Sequence, residues 1–248
     1  MASIDKIRKD KLPEHVAVVM DGNGRWAERK GNNRIYGHQN GVVAVRETVE
    51  AAAELGIKYL TLYAFSTENW NRPRDEVDAL MSLLVNTIHN EIKSLNENNV
   101  RLHVIGDILS LPRKVKQQLE KAVFDTSTNN GLNLILALSY SGRWEIINAV
   151  KNIAADIKSG NLTIEVLDNE TFIKYLSTSG IPDPELLIRT SGEFRISNFL
   201  LWQLAYTELY FTEILWPDFR KGNFFDAIVE FQKRERRFGK TGAQLINE

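Results

Sequence analysis

The stretch His15-Val-Ala-Val-Val-Met-Asp-Gly-Asn-Gly-Arg-Trp26 reads as a buried strand that stops at a carboxylate. An apolar run of strand length ends in Asp21, and two glycines and an arginine follow at once. In an open α/β sheet, ligands sit just beyond the carboxyl ends of the strands, so Asp21 stands where a metal ligand or an acid/base group is useful. Gly22 and Gly24 let the backbone approach a ligand closely, and Arg25 supplies a planar cation suited to phosphate.

Further apolar, β-branched runs recur at Tyr59–Phe65, Val100–Ile105, Leu132–Leu138, Leu186–Arg189 and Leu209–Ile214. Helical patterns lie between them. Val42, Val45, Val49 and Ala52 share one helical face, with Gly56 as C-cap. The longest helix is expected to start at an Asp75 N-cap and carries Val77, Leu80, Met81, Leu84, Val85, Ile88, Ile92 and Leu95 at helical spacing. Shorter helices are expected over Val115–Val123, from Arg143 to Gly160, and from Phe224 to Phe238 before Gly239. Strands separated by helices predict an α/β fold, a mainly parallel central sheet of about six strands flanked by helices. No linker or repeat divides the 248 residues, so residues 1–248 are expected to form a single domain, with 1–12 and 240–248 as flexible ends.

Composition narrows the function. Acidic and basic residues number 32 and 31, which gives no general attraction to nucleic acid. The absence of cysteine excludes disulfides, thiolate metal sites and a cysteine nucleophile. The charged segment Met1–Lys11 lacks the apolar core of a secretory signal, and no apolar run approaches the ~20 residues that span a bilayer. The expected location is cytoplasmic.

Polar residues collect at the carboxyl ends of the candidate strands: Asp21–Arg25, Ser66–Pro73, Gly106–Asp107, Ser139–Arg143 and Arg189–Ser197. Arg25, Arg34, Arg72, Arg189 and Arg195 lie in or near these loops, and arginine forks bind phosphate oxygens bidentately. With no histidine or cysteine cluster beside Asp21, a hard cation such as Mg²⁺ shared with a substrate phosphate fits better than zinc. Two arginine groups suit two phosphate-bearing substrates, or one diphosphate clamped from both sides.

Each feature also has a plainer reading. Asp21-Gly-Asn-Gly suits a tight turn. Trp26 and Trp70 suit packing, His38 a capping role, Glu68 a solvated charge, Lys233–Arg237 a solvated helix face, and the stripe from Val77 to Leu95 core. Gly22-Asn-Gly24-Arg-Trp-Ala27 matches a dinucleotide-binding pattern, but the acidic residue expected at the end of the second strand is missing. An aspartyl phosphatase carries a second Asp two residues on, and here that position is Asn23. No Walker-type loop occurs.

His15–Ala27, Arg34-Ile-Tyr-Gly-His38, Leu62–Pro73, Arg189–Gln203, Glu208-Leu-Tyr-Phe211 and Trp216-Pro-Asp-Phe219 together resemble the motifs of the cis-prenyltransferases. The resemblance runs from His15 to Gly239. It implies repeated addition of isopentenyl diphosphate to an allylic diphosphate, usually farnesyl diphosphate. Each new double bond is cis, and the product is a polyprenyl diphosphate such as undecaprenyl diphosphate, a carrier precursor for cell-wall synthesis. It implies that Asp21 holds Mg²⁺, with Glu208 completing the metal site. Gly22, Asn23, Gly24, Arg25, Trp26, Arg34 and His38 are then the allylic diphosphate site. Ser66, Thr67, Glu68, Asn69, Trp70 and Arg72 form a second loop, in which Asn69 is assigned to proton removal. Arg189, Arg195, Ile196 and Ser197 bind isopentenyl diphosphate. The family's apolar product tunnel is expected along Leu80, Leu84 and Ile88. A homodimer is implied, with Arg237-Phe-Gly239 reaching the partner's site, and so is peripheral membrane association for product release. A shorter-chain synthase, a non-catalytic partner subunit and a phosphatase stay as alternatives. Two departures stand out: Phe194 where some relatives have His, and Ser139-Tyr-Ser141-Gly where Asn-Tyr-Gly-Gly is usual.

Overall fold

The structure, a computed structural model, describes residues 4–236. Among them six strands form one all-parallel sheet in the order β3-β4-β2-β1-β5-β6. The strands are β1 (His15–Val19), β2 (Tyr59–Ser66), β3 (Arg101–Ile105), β4 (Asn133–Tyr140), β5 (Leu186–Arg189) and β6 (Glu208–Phe211). Seven helices flank them: α1 (Asn23–Arg29), α2 (Arg34–Leu55), α3 (Arg74–Glu97), α4 (Arg113–Asp125), α5 (Gly142–Ser159), α6 (Asn169–Ile173) and α7 (Lys221–Phe231). All five residues of β1 are buried, because the sheet is covered on both faces. Val16, Val18, Leu60, Leu62, Leu186 and Ile188 pack with residues of α2, α3, α4 and α7. Ala17, Val19, Ile135, Ala137 and Leu187 pack with Phe199 and Leu200 on the other side.

The chain leaves β1 toward β2 and later returns to place β5 on the opposite flank of β1. β1 is therefore the switch point of the sheet, where an open α/β fold forms its crevice. Val19 lies level with Tyr63 and Arg189, so the loops after β1, β2 and β5 converge.

Several boundaries differ from the expected ones. The Gly56 and Gly160 C-caps are as expected, both left-handed. Asp75 is not an N-cap: α3 starts at Arg74 after Pro73, and Asp75 lies in its first turn, where a carboxylate suits the helix dipole. β6 begins at Glu208 and ends at Phe211, three residues short of Ile214. The last helix starts at Lys221 and stops at Phe231. Beyond it the chain turns, and Arg234 donates to Glu208 Oε2 at 3.0 Å and to the Leu209 carbonyl at 2.9 Å, while Arg236 pairs with Glu185. The basic run to Arg236 is thus pinned to neighbouring segments and is not a solvated helix face. Arg237–Gly239 lie outside the described residues. α1 begins inside the stretch that also suited a tight turn: Gly22, at φ 106°, is its N-cap, a conformation glycine adopts freely.

His15 anchors the amino end of β1. Its Nδ1 donates to the Pro182 carbonyl at 2.6 Å, and Nε2 lies 2.7 Å from Thr61 Oγ1. Burial pushes its pKa down from 6.5 to about 4, against the opposing effect of the Pro182 bond. Between these values the unfolded chain binds a proton that the folded chain does not, so stability falls as pH drops through this window. We expect His15 to account for a loss of about 2 kcal/mol between pH 7 and pH 5. Urea unfolding at the two pH values measures it, and the loss should shrink in His15→Gln.

Candidate active site at the carboxyl edge of the sheet

A cleft of about 830 Å³ opens at the carboxyl ends of β1, β2, β4 and β5. One end is polar and is lined by Asp21, Asn23, His38, Ser66, Glu68, Asn69, Arg72, Arg189, Arg195 and Ser197. The other is apolar, with Leu62, Leu80, Leu84, Ile88, Leu136 and Leu138 among its walls. The expected tunnel thus has its counterpart in the fold. Of the α3 stripe, Val77, Met81 and Ile88 are buried, whereas Leu80 and Leu84 are only partly buried and border the cleft.

Asp21 is fixed by β5. Thr190 Oγ1 accepts from the Asp21 amide at 2.9 Å and donates to its carbonyl at 2.7 Å. Arg189, with a side chain only 3% exposed, donates to Asp21 Oδ2 at 2.8 Å. Its other terminal nitrogen donates to Ser197 Oγ at 2.7 Å and to the Arg195 carbonyl. Arg25 lies 3.3 Å from Asp21 Oδ1 and 2.9 Å from Glu193, which also pairs with Arg195. Burial works against the Asp21 carboxylate, but the hydrogen bond and charge of Arg189 and the charge of Arg25 outweigh it and hold its pKa below the ordinary value. Asp21 is therefore ionised at neutral pH.

Two arginines and a histidine gather on Glu76, in the first turn of α3. Arg72 lies 3.0 Å, Arg34 3.4 Å and His38 3.8 Å from its carboxylate. Burial, then the charge of Arg72, lowers the His38 pKa to about 4 against the pull of Glu76, so His38 is a neutral imidazole. The Arg34 guanidinium lies so close over Gly24 that a Cβ there would sit 2.5 Å from it. A Cβ on Gly37 would lie 1.9 Å from the Asn23 carbonyl oxygen. This contact lets α2 press against the start of α1.

The β2 loop forms a 3-10 turn, Thr67–Asn71. Asn69 Oδ1 accepts from the Ser66 amide at 3.1 Å. Glu68 accepts from Asn198 at 2.7 Å, and Trp70 Nε1 donates to Ser139 Oγ at 2.9 Å while its ring meets Phe65 edge-on. Trp26 is 6% exposed and stacks on Tyr36, so its ring is mainly a packing element. Ile196 packs against the second core cluster. The departure at Ser139-Tyr-Ser141 has a local account: Ser139 receives the Trp70 indole, and Ser141 caps α5 through the Trp144 amide. The departure at Phe194 leaves a ring 78% exposed, 5.2 Å from Phe211.

Glu208 does not join this group. It is the first residue of β6, level with Leu186 and three residues before Phe211, the partner of Arg189. At about 3.3 Å per residue that places it roughly 10 Å back along the sheet, where it pairs with Arg234. Within the chain Glu208 therefore stands apart from Asp21, engaged by Arg234.

Four residues that sequence reasoning did not single out organise the site: Thr190, Glu76, Glu193 and Asn198. Asn198 accepts from the amides of Gly142 and Arg143 and donates to Glu68, which bolts three loops together. Ser197, Asn198 and Leu200 all have positive φ, at 50°, 60° and 44°. Such strain persists where the surroundings over-determine it, as at functional sites. Buried polar atoms are nearly always hydrogen-bonded, yet Asn23 Oδ1, Trp26 Nε1, His38 Nε2 and Arg189 Nε have no partner among the described residues. Of these residues, Asn23, His38 and Arg189 line the cleft, while Trp26 packs with Ala27 and Leu215.

A family model described as putative undecaprenyl diphosphate synthase matches residues 19–239. The chain belongs to this prenyltransferase family. An isoprenyl transferase of Chlorobaculum tepidum is 53% identical over 234 residues, covering 94% of this chain and 88% of that protein. The farnesyl-diphosphate-specific ditrans,polycis-undecaprenyl-diphosphate synthase of Pasteurella multocida is 49% identical over 230 residues, 93% of this chain and 96% of that one. Among solved structures, lavandulyl diphosphate synthase from Lavandula x intermedia, in complex with dimethylallyl diphosphate, superposes with a TM-score of 0.90 at 38% identity, over 93% of this chain and 100% of that one. As a member of this prenyltransferase family, the chain carries its motifs on the converging loops around β1. The dinucleotide, phosphatase and simple-turn readings of Asp21–Arg25 give way to the family assignment.

Proposed function

We propose that the chain elongates farnesyl diphosphate by repeated cis addition of isopentenyl diphosphate, with undecaprenyl diphosphate as product. The observation that carries this is the two-ended cleft, in which an ionised Asp21 between Arg25 and Arg189 faces a lumen walled by Leu62, Leu84 and Leu136. A diphosphate joined to an apolar chain matches both ends.

Asn23, Gly24, Arg25, Arg34 and His38 hold the allylic diphosphate, and Arg189, Arg195 and Ser197 hold that of isopentenyl diphosphate. Mg²⁺ fits at Asp21. Asp21 would hold such an ion, with substrate phosphate oxygens and water supplying the remaining donors, as is common for Mg²⁺. When bound, it stabilises the charge that develops on the departing diphosphate. Arg25 and Arg34 add donors aimed at the same developing charge. An amide is too weak a base to remove the proton itself. Asn69, whose Oδ1 is engaged by Ser66, has its NH₂ free to orient a diphosphate oxygen that takes it.

The growing chain extends past Leu80 and Leu84 on α3. We expect Leu84→Trp to shift the product distribution toward shorter polyprenyl chains while the first addition stays close to the wild-type rate. Thin-layer analysis of dephosphorylated products reads this, and unchanged chain length in an active variant would remove Leu84 from the tunnel wall. A second copy of the chain covers the edge strand β6 and the exposed Phe194, since unpaired sheet edges call for cover. No helix among the described residues is long and apolar enough to cross a membrane.

Incubation with farnesyl diphosphate, radiolabelled isopentenyl diphosphate and Mg²⁺, followed by lipid extraction, tests the proposal. Label in a long-chain lipid that disappears with chelator is expected. Free phosphate with no labelled lipid would support a phosphatase instead.

A further inference from the structure

The cations that line the polar end of the cleft reach it already paired. Arg189 is held by Asp21, Arg195 by Glu193 and Arg72 by Glu76. Arg25 and Arg34, just behind them, are paired as well. A diphosphate that arrives must share each of these with a resident carboxylate, which lowers the net attraction each can offer.

Arg143 is different. It lines the same cleft beside Arg195, Ser197 and Asn198, it is exposed, and its guanidinium has no ion pair or hydrogen bond among the described residues. Its backbone, by contrast, is held firmly. It is the second residue of α5. Its amide donates to Asn198 Oδ1 at 3.0 Å, and the Gly142 amide donates to the Asn198 carbonyl at 2.7 Å. A Cβ on Gly142 would meet Leu201 Cγ at 2.6 Å, so α5 and the Arg195–Leu201 loop are in close contact. The root of the side chain is thus fixed against the segment that presents Arg195 and Ser197. Only the long flexible stem and the charged head are free.

An unpaired guanidinium on a fixed root, at the wall of a phosphate site, is suited to capture a diphosphate bidentately. We propose that Arg143 is a further binding residue for the diphosphate of isopentenyl diphosphate, the uncompensated cation that draws this substrate to Arg195 and Ser197. The proposal rests on the prenyl-transfer reading above. The same diphosphate chemistry occurs in the pyrophosphate released at each cycle, but the backbone of Arg143 is tied through Asn198 to the segment that carries Arg195 and Ser197, which favours the incoming substrate.

Calorimetric titration of isopentenyl diphosphate into wild type, Arg143→Gln and Arg143→Lys tests this, alongside steady-state kinetics. Loss of one charge-assisted contact predicts a Kd, and a KM for isopentenyl diphosphate, raised about tenfold in Arg143→Gln. Arg143→Lys should fall between the two. The KM for farnesyl diphosphate and kcat should stay near wild type, and kcat/KM for isopentenyl diphosphate should depend less on salt. Thermal unfolding should be unchanged, because the guanidinium holds no ion pair or hydrogen bond among the described residues. Equal Kd values in wild type and Arg143→Gln would overturn the proposal. So would a rise confined to the farnesyl KM, or a fall in kcat alone, which would point to pyrophosphate release. A wild type that binds no isopentenyl diphosphate would overturn the prenyl-transfer reading itself, and Arg143's role with it.

Discussion

Replacing Asp21 with alanine should lower turnover by at least about a hundredfold, the scale seen when a group that stabilises transition-state charge is removed, while leaving a folded protein. Asp21 is the carboxylate at the switch point of the sheet, and its ionised state is enforced by Arg189 and Arg25. Without it nothing on β1 fixes a divalent ion against the departing diphosphate. The fold should persist at a cost of about 3 kcal/mol for leaving the buried Arg189 without its carboxylate, because Arg189 keeps its bonds to Ser197 and to the Arg195 carbonyl, and Thr190 still holds the residue-21 backbone. Asp21→Asn makes the sharper comparison: it is nearly isosteric but carries no charge, so it should be almost as inactive. Steady-state rates together with circular dichroism decide it, and near-normal turnover in a folded variant would remove Asp21 from the metal role.

The second large effect is expected at Arg189. This side chain ties the two halves of the site together, Asp21 on one terminal nitrogen and the Ser197 loop on the other. Arg189→Ala leaves Asp21 with Arg25 alone and releases the loop whose residues 197, 198 and 200 have positive φ. We expect kcat/KM for isopentenyl diphosphate to fall more than about a hundredfold and stability to drop by about 3 kcal/mol, the scale for breaking one side of a buried pair. Arg189→Lys should recover most of the stability and little of the activity, since a lysine cannot make the forked contact. Kinetics and urea unfolding of both variants separate the two effects. Equal recovery of both by lysine would mean that charge alone is needed there.

The sheet was legible because its strands are buried on both faces and read as continuous apolar runs, as in β1. The active edge was legible for a related reason: Asp21, Ser66, Ser139 and Arg189 each end such a run or directly follow it, so a parallel sheet places them on one edge, and the order β4-β2-β1-β5 makes them neighbours. What a linear reading could not supply was pairing across distance. Glu76 and Glu193 look like ordinary surface acids until the fold sets Arg34, Arg72 and His38 against one and Arg25 and Arg195 against the other. Asn198 shows its function only once α5 packs against its loop. Asp21-Gly-Asn-Gly also suited a tight turn because Asp, Asn and Gly favour turns, yet Gly22 serves as a cap and α1 begins at Asn23. The last helix stopped early for a tertiary reason, the docking of Arg234 on Glu208 and the Leu209 carbonyl. Glu208 itself was nominated by family resemblance alone, and the strand direction sets it at the other end of β6.

The most direct test of the central claim is a crystal structure with farnesyl thiodiphosphate, isopentenyl diphosphate and Mg²⁺ bound together. The predicted result is a metal on Asp21, the thiodiphosphate on Asn23, Gly24 and Arg25 with its chain directed along Leu84, and the second diphosphate on Arg189, Arg195 and Ser197. Density for the farnesyl chain outside the cleft between α3 and the sheet, or a diphosphate bound away from Asp21, would contradict the account.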